Sequence, residues 1–519
     1  MDKKWTRPFY ILLILNTILR FIIAFFTNLG IDEAYYFSYG LYLDWSYFDH
    51  PPMIGLLARA SSWIFGYGTE AGFRALSVIT GTLNLILVFQ IAKTIKDRSA
   101  GFYAALLYSA SFYGSVISGS FVLPDNPLCL FWLLSIYFII KMLYNYKPQW
   151  SYIIFFGITA GLAFLSKYSA LFLWGGIICF AIKYRKSEIL KSPYWYYAAL
   201  ISAFFFLPVI LWNYHNGFAS FTFHSNRVSF EHLSIKLDYF ATELFGQLFY
   251  NNPVNIFIII SCFVYLFRNK KTLNNPAITF LLFVSLPIIS TTLIISLFNK
   301  TLPHWSGPGY IGLIILSAVI LREKIETGKN TALKPGLISN FFFLIIVLLG
   351  LLQINSGIID VDHTEDQEKL GKNDISLDMY GWHQVKDKTT NFINTDLSAQ
   401  KTDSNYIFIT HNWFPAGSIE FYLAYPLKKK VYIWGNKEKA HQYMKINELR
   451  GGIIKNSDAY YITTSRYFKA PDDNLANNYE TANSREVIHI TRNSKTVYNV
   501  FIYRLINAKN NFAINTGND

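Results

Sequence analysis

Apolar runs of about twenty residues alternate with short polar connections over most of this chain, from Pro8 to Gln353. A helix needs about twenty apolar residues to cross the hydrocarbon core of a bilayer, so the pattern predicts about eleven membrane-spanning helices. They are placed at residues 8–28, 73–95, 100–119, 126–145, 150–166, 169–184, 194–213, 252–267, 277–298, 307–321 and 336–353. The chain is therefore predicted to be a polytopic α-helical membrane protein.

A change in composition after Gln353 divides the chain into two predicted domains, residues 1–353 and residues 354–519. The second domain begins with a polar linker and contains no further run long enough to span a bilayer. Its short β-rich runs are NYIFITH, KKVYIWG, DAYYITT and NVFIYRL, and they alternate with amphipathic stretches such as AGSIEFYLAY. This alternation predicts a small α/β domain that is long enough to form its own core.

Composition and charge agree with a membrane protein and give its orientation. The 519 residues are 52% hydrophobic and only 15% charged, which is too apolar for an ordinary soluble protein. The net charge of +13 comes largely from alternate connections, MDKKWTR, KTIKDR, KYRKSEILK, FRNKK and LREKIETGK. The positive-inside rule places these connections and the N-terminus in the cytoplasm and the second domain outside it. The basic balance is thus a topology signal, and no nucleic-acid partner is predicted.

The ionisable side chains of the membrane region collect in the connections on the opposite, outer side. Every histidine of that region lies there, namely His50, His215, His224, His232 and His304. The densest acidic stretch is GIDEAYYFSYGLYLDWSYFDHPPM, directly after the first span. This asymmetry predicts that the polar chemistry takes place at the outer face.

Three charged residues lie within about a turn of a predicted span end. Asp32 follows the first span, Asp125 opens the fourth, and Lys167 stands between the fifth and the sixth. Charges at that depth are costly unless they are paired or face water, so each is a functional candidate. The alternative is that each reaches water or caps a helix, and Asp125-Asn126-Pro127 is a helix-start signal in its own right. A carboxylate that deprotonates a hydroxyl, beside a cation that holds an anionic leaving group such as a lipid phosphate, suits group transfer.

Four segments, in order, resemble the GT-C glycosyltransferases that use polyprenyl-phosphate sugars. They are DEAYYFSYGLYLDWSYFDHPPM, LPDNPL, LAFLSKYSALF and LPHWSGPGY. The chain is similar in particular to protein O-mannosyltransferases and to the lipid A aminoarabinose transferases of bacterial inner membranes. The resemblance covers residues 5–350 and implies many transmembrane helices, an active site between the first outer loop and the bilayer, and inversion at the anomeric carbon.

The resemblance also implies roles for single residues. Asp32, with Glu33 beside it, matches the catalytic carboxylate that family members place just after the first span. Asp125 matches a second catalytic acid of the family at the start of a later span. Lys167 matches a lysine that contacts the phosphate of the sugar donor.

The chain departs from the aminoarabinose transferases at a Glu-Lys-Pro segment, which is replaced here by Asp49-His50-Pro51. The cation at this position becomes titratable, with an ordinary pKa near 6.5, so phosphate binding by His50 is less firmly implied. A His-x-x-Arg segment of the family is matched by His224 and Arg227. Since the family's histidine and acid can share a metal ion, Asp49 and His224 are a candidate divalent-metal site. Two ligands from distant loops are a weak metal signal.

The remaining candidates for the donor phosphate are Arg74, Arg227 and His304. Each arginine has a structural alternative, which is an ion pair with Glu70 or Glu231. His304 lies in a short outer loop, where its neighbour Trp305 is predicted to be an interfacial anchor.

The predicted function is transfer of a sugar from a polyprenyl phosphate to a lipid, glycan or protein acceptor at the extracytoplasmic face of a bacterial inner membrane. A divalent metal ion is a candidate cofactor, and no nucleotide cofactor is expected. The alternative is a transporter or lipid flippase, although such proteins place ionisable groups near the bilayer midplane. A glycan-binding protein without catalysis is a third possibility, against which the retention of Asp32 and Lys167 argues.

Overall fold

The computed structural model describes residues 2–144, 150–184, 191–229, 234–326, 333–362 and 364–513, so the candidate positions Glu231 and His232 lie outside the described residues. The chain forms two compact units. The first contains Met1–Ala24, Asp44–Leu57 and Arg74–Val347, and the second contains Phe25–Leu43, Ala58–Phe73 and Leu348–Asp519. The second unit thus contains two segments of the first outer connection, which the predicted division after residue 353 assigns to the first domain.

Helices make up the described membrane region. They are α1 (Thr6–Phe26), α2 (Ile31–Leu41), α3 (Met53–Phe65), α4 (Glu70–Ile95), α5 (Arg98–Ser109), α6 (Asp125–Tyr144), α7 (Trp150–Ser166), α8 (Leu171–Lys183), α9 (Tyr194–His215), α10 (Ala219–Val228), α11 (Leu237–Tyr250), α12 (Pro253–Arg268), α13 (Pro276–Ser296), α14 (Gly307–Glu326) and α15 (Leu333–Ser356). Because apolar runs of this length form helices in lipid, most predicted spans coincide with one of these helices.

In the described part of the chain, seven helices are long and apolar enough to cross a membrane, or eight if α11 and α12 form one bent span. The predicted α-helical membrane fold is confirmed, and the number of eleven spans stays a prediction. The predicted span 100–119 is not one helix, because α5 ends at Ser109 and a π-helical turn follows at Tyr113–Ile117. Serine side chains compete for the backbone here, and Oγ of Ser111 accepts the amide N–H of Gly114 at 3.2 Å.

Small residues allow the helices of the first unit to pack closely. A Cβ on Gly157 of α7 would lie only 2.6 Å from Cα of Ala198 on α9, and a Cβ on Gly81 of α4 would lie 2.4 Å from the carbonyl oxygen of Gly119. Such glycine contacts are typical of helices that associate in a bilayer. They fix α4 and α7 among their neighbours, and α7 ends where Lys167 begins.

The second unit contains the predicted α/β domain, which is confirmed. Its elements are α16 (Trp382–Ser398), β1 (Ile407–Thr410), α17 (Trp413–Ile419), β2 (Val431–Ile433), α18 (Lys437–Ala440), α19 (Tyr443–Arg450), β3 (Ala459–Thr464), α20 (Asp473–Ala476), β4 (Tyr479–Arg492) and β5 (Lys495–Ala508). The strands form one sheet in the order β2-β1-β3-β5-β4, in which β1 is parallel to β2 and β3, and β5 is antiparallel to β3 and β4.

Four strands lie where the β-rich runs predict them, whereas β4 was not predicted. Its sequence, YETANSREVIHITR, begins with a polar stretch, and its β-branched residues are concentrated in VIHIT near the end. A hairpin determines the position of β4, which pairs with β5. The two turn residues of this hairpin, Asn493 and Ser494, have φ angles of 50° and 64°. Two consecutive positive φ angles are the requirement of a tight type I′ hairpin turn.

Helix α2, which carries Asp32, is held by the α/β part of the second unit. A Cβ on Gly417 of α17 would lie 2.7 Å from the amide nitrogen of Tyr35 on α2, so the two backbones are in direct contact. Arg450 of α19 donates through Nε to the hydroxyl of Tyr42 at 3.0 Å, and its Nη2 lies 2.6 Å from Oε2 of the buried Glu420. These contacts fix the direction of α2 and thus the position of its first turn within this unit.

Candidate active site

A buried ion pair between Asp125 and Lys167 lies at the centre of a polar cluster in the first unit. Nζ of Lys167 lies 2.8 Å from Oδ2 and 3.0 Å from Oδ1 of Asp125. Asp125 is the first residue of α6, and Lys167 follows the last residue of α7. Their side chains are 3% and 12% exposed, and buried charges of this kind persist only when they are paired and hydrogen-bonded. Two of the three predicted span-end charges are thus in direct contact.

Tyr113 completes the surroundings of the Asp125 carboxylate. Its hydroxyl donates to Oδ1 of Asp125 at 3.0 Å, and the thiol of Cys129 donates to the same hydroxyl at 3.3 Å. The side-chain amide of Asn126 donates to the carbonyl oxygens of Ser77 and Ser118 at 2.9 and 2.8 Å, which fixes the start of α6. The sequence analysis missed Tyr113, because nothing in the local pattern distinguishes it from the other members of a set of 36 tyrosines.

Two partly buried histidines are electrostatic neighbours of this pair. Removal from water lowers the pKa of His50 well below its usual value, and the nearby His224, Lys167, Arg227 and His304 add to this effect. Burial also lowers the pKa of His224 to about 4. Both imidazoles are therefore neutral near pH 7, and each can donate one hydrogen bond. The ring centroids of His50 and His224 are 6.1 Å apart.

Arg227 adds a cation supported by aromatic rings. Its guanidinium carbon lies 4.9 Å from the centroid of the Trp305 ring and 5.4 Å from that of Phe223, distances typical of cation–π contacts. Trp305, predicted only as an interfacial anchor, thus supports a predicted phosphate ligand. Its neighbour His304 lies beside Tyr250, with ring centroids 6.2 Å apart. Four of the five predicted phosphate candidates (Lys167, Arg227, His50 and His304) are therefore electrostatic neighbours.

Arg74, the fifth phosphate candidate, is fully buried between helices. Its Nη1 donates to the carbonyl oxygen of Ala24 at 3.1 Å, and its guanidinium carbon lies 4.9 Å from the ring centroid of Phe121. Both partners are structural groups of the helix bundle. These contacts favour a packing role for Arg74.

The two residues of the candidate metal site, Asp49 and His224, are in contact through the main chain of Asp49. Nε2 of His224 lies 2.7 Å from the main-chain oxygen of Asp49, so this nitrogen faces a carbonyl and not the carboxylate. Within the parts of the chain that the structure describes, no three His, Cys, Asp or Glu side chains are placed to share a metal ion. The geometry therefore does not fit a ready metal site, and the pair stays a prediction.

Asp32 and Glu33 occupy the first turn of α2, in the second unit. Glu33 is buried, and its Oε2 accepts the amide N–H of Gly30 at 3.0 Å, so its carboxylate stabilises the start of the helix. Asp32 is exposed on the same turn. Of the two acids, Asp32 is therefore the better candidate for chemistry.

Replacing Tyr113 by phenylalanine is expected to lower the turnover of any reaction that uses Asp125 and Lys167 by about 3–10-fold, the value of one buried hydrogen bond. The ring volume is retained, so the packing around the π-helical turn should survive. The check is turnover and KM measured for both proteins, with Tyr108→Phe as the matched control, since Tyr108 is another fully buried tyrosine, in the last turn of α5. Equal losses in the two variants would contradict a specific role for Tyr113.

Comparison with known protein families gives a match to the family described as dolichyl-phosphate-mannose-protein mannosyltransferase over residues 49–212, a range that includes Asp125 and Lys167. A curated relative, the lipid A galacturonosyltransferase RgtD of Rhizobium johnstonii, is 22% identical over 322 residues. That alignment covers 61% of this chain and 66% of the relative, so the chain matches about two thirds of the relative's length.

Solved structures show the same fold. ArnT from Cupriavidus metallidurans in the apo state matches with a TM-score of 0.61 at 14% identity, over 96% of this chain and 98% of that one. The same protein bound to undecaprenyl phosphate matches with a TM-score of 0.57 at 13% identity, over 97% and 98%. The family match and the shared fold confirm the predicted resemblance to the GT-C glycosyltransferases.

Proposed function

We propose that this chain, an integral membrane protein that resembles the GT-C glycosyltransferases in sequence and fold, moves a sugar from a polyprenyl phosphate to an acceptor. The observation that carries the proposal is the buried Asp125–Lys167 pair, with Arg227 and two neutral histidines as its electrostatic neighbours. Cations and neutral N–H donors gathered in one place suit an oxygen-rich anion such as a phosphate. A group transfer in which phosphate departs needs such a site.

In the proposed reaction the bond between the anomeric carbon and the phosphate oxygen breaks, and a bond from the acceptor oxygen to that carbon forms. Lys167 and Arg227 stabilise the negative charge that develops on the departing phosphate. Asp125 and Tyr113 hold the ammonium group of Lys167 in place, and the neutral His50 donates a hydrogen bond. The acceptor proton passes to a carboxylate, which the resemblance assigns to Asp32. A direct displacement of this kind inverts the anomeric configuration.

The carrier, the acceptor and the membrane are further parts of the proposal. ArnT has been solved with undecaprenyl phosphate, and RgtD is named for action on lipid A. These names support an undecaprenyl-type carrier and, among the three acceptor classes, a lipid. The distribution of Lys and Arg supports a cytoplasmic N-terminus and an extracytoplasmic second domain in a bacterial inner membrane. The matched family implicates no nucleotide cofactor, and no step above depends on a metal at Asp49 and His224.

The test is a transfer assay with the purified full chain in nanodiscs and synthetic polyprenyl-phosphate sugars. Release of polyprenyl phosphate and appearance of an inverted product are expected. A mass comparison of surface glycolipids and glycoproteins, from cells with and without the gene, would identify the sugar and the acceptor together. If the donor crosses the bilayer of a sealed vesicle unchanged and no glycoside forms, the flippase alternative is correct instead.

Replacing Arg227 by glutamine is expected to lower kcat/KM for the donor by about 10–100-fold, because a charge-assisted hydrogen bond to phosphate is worth about 1.5–3 kcal/mol. Arg227→Lys keeps the charge and loses the planar contact with Trp305, so an intermediate loss is expected. The measurement is kcat/KM with a polyprenyl-phosphate sugar. Arg74→Gln serves as a control. Because Arg74 contacts structural groups of the helix bundle, this variant is expected to lower the thermal stability and to leave the KM for the donor unchanged. An Arg227→Gln enzyme with unaltered donor kinetics would contradict this role.

A further inference from the structure

A cavity of about 260 Å³ lies within the second unit, where two helices long and apolar enough to span a membrane end. The last two residues of α1, Phe25 and Phe26, form part of its wall, and Asn355 near the end of α15 forms another part. The side-chain amide of Asn355 donates to the carbonyl oxygen of Phe26 at 3.1 Å, so the two helix ends are joined. None of the residues to which the proposed reaction assigns a role lines this cavity.

One wall of the cavity is polar and held in a fixed arrangement around the buried carboxylate of Glu70. Oε1 of Glu70 accepts from Nδ2 of Asn28 at 3.1 Å, from the hydroxyl of Tyr422 at 2.9 Å, and from Nε2 of His383 at 2.8 Å. The hydrogen bond to Glu70 raises the pKa of His383, an effect that Asp387 increases and Lys386 opposes. Gln384 adds a second amide to this wall. The wall therefore offers a carboxylate, an imidazole and several amides.

The cavity also has an apolar lining, formed by the last two residues of α1. Phe25 is 70% exposed and Phe26 is 54% exposed, and both lie at the end of a helix that is apolar enough to span the membrane. Exposed aliphatic side chains continue this surface along and beyond the end of α15, namely Leu348, Leu352, Ile358 and Ile359. Large apolar side chains stay exposed at a span end because hydrocarbon surrounds them there. The cavity thus combines polar groups with exposed apolar side chains of the kind that acyl chains cover at a span end.

We propose that this cavity binds the hydroxyl-rich headgroup of a membrane glycolipid, with its acyl chains along the exposed side chains at the ends of α1 and α15. Carboxylate and amide groups exchange hydrogen bonds with sugar hydroxyls, and the rings of Phe25 and Phe26 pack against the apolar faces of the sugar. The carboxylate of Glu70 lies in the polar wall, which favours a hydroxylated headgroup over a strongly anionic one. The inference rests on the proposed function, in which this glycolipid is the sugar acceptor.

Photo-crosslinking in the full-length protein tests the proposal. The probe is p-benzoyl-phenylalanine in place of Phe26, irradiated in native membranes, with the adduct identified by intact and fragment mass spectrometry. The matched control carries the same probe in place of Phe21, which is 41% exposed on the same helix and is not among the residues lining the cavity. A sugar-bearing lipid adduct is expected at Phe26, and ordinary phospholipid adducts are expected at Phe21.

A second substitution keeps the test specific to the cavity. His383→Gln in the Phe26 probe protein should lower the glycolipid adduct by about 3–10-fold, the value of one hydrogen bond. His215→Gln, at an exposed histidine that ends α9, should leave the yield unchanged. His383 is 58% exposed, so the variant is expected to fold, which a monodisperse elution profile would verify.

The adduct forms without turnover, so its outcome is separate from that of the transfer assay. A glycolipid adduct in a protein that transfers no sugar would retain this site and refute the proposed function. Phospholipid adducts alone at Phe26, equal adduct patterns at Phe26 and Phe21, a peptide adduct, or a yield unaffected by His383→Gln would each overturn the proposed glycolipid site.

Discussion

Replacing Lys167 by methionine is expected to reduce sugar transfer by about 10²–10³-fold, the loss that follows removal of one group that stabilises developing charge in a transition state. Its side chain is nearly buried and its ammonium group is held by both carboxylate oxygens of Asp125, so the position of the charge is fixed. The charge acts mainly as the phosphate departs. We therefore expect kcat to fall more than KM rises.

The same substitution leaves Asp125 buried without its cation, which is expected to cost about 3–5 kcal/mol of stability. The double variant Lys167→Met/Asp125→Asn removes both charges and should recover much of the melting temperature without recovering transfer. Lys300→Met, at an exposed lysine of an outer connection, is the control for loss of one positive charge. Turnover and thermal unfolding of all four proteins separate the two effects. Recovery of transfer together with stability in the double variant would show that Lys167 has only a structural role.

Much of the fold follows from the sequence because a bilayer imposes a simple rule on it. Every backbone group in hydrocarbon must be hydrogen-bonded within its own helix, so a long apolar run has few alternatives. Helix α7 therefore covers Trp150–Ser166, as predicted. The rule fails where polar side chains compete with the backbone, as at Ser109 and Ser111, and the predicted span 100–119 is broken there. Strand β4 was missed for a different reason, since its position comes from pairing with β5 and not from its own composition.

The candidate site was partly predictable for a related reason. Charges at span ends are costly, so Asp125 and Lys167 stand out in the sequence, and the structure shows that each supplies the partner of the other. Tyr113 carries no such cost and gives no signal. For Arg74 the same signal is ambiguous, because an arginine at a span end can be satisfied by backbone oxygen and an aromatic ring as well as by a phosphate. Distance in the chain also hides Trp305, whose contact with Arg227 arises only in the folded protein.

Replacing Asp32 by asparagine is expected to lower transfer by about 10²–10⁴-fold, the usual contribution of a general base. Asparagine keeps the size of aspartate and loses only its favourable charge at the first turn of α2, an effect of about 0.3–1 kcal/mol, so stability should change little. A base acts only as the acceptor proton moves, and we therefore expect kcat to fall while KM for the donor stays constant. The measurement is steady-state transfer from a polyprenyl-phosphate sugar, together with a melting temperature.

Two neighbouring acids provide matched controls for this result. Asp44→Asn changes an acid of the same outer connection, whose Oδ1 accepts the amide N–H of Trp45 at 2.8 Å, and it should leave turnover unchanged. Glu33→Gln keeps an oxygen that can accept from Gly30, so it should also retain most activity. Near wild-type transfer by Asp32→Asn would remove Asp32 from the base role. A loss of transfer in Glu33→Gln alone, with unaltered stability, would assign the base role to Glu33. In that variant the side-chain oxygen that accepts the hydrogen bond of Gly30 is preserved, and only the negative charge is lost.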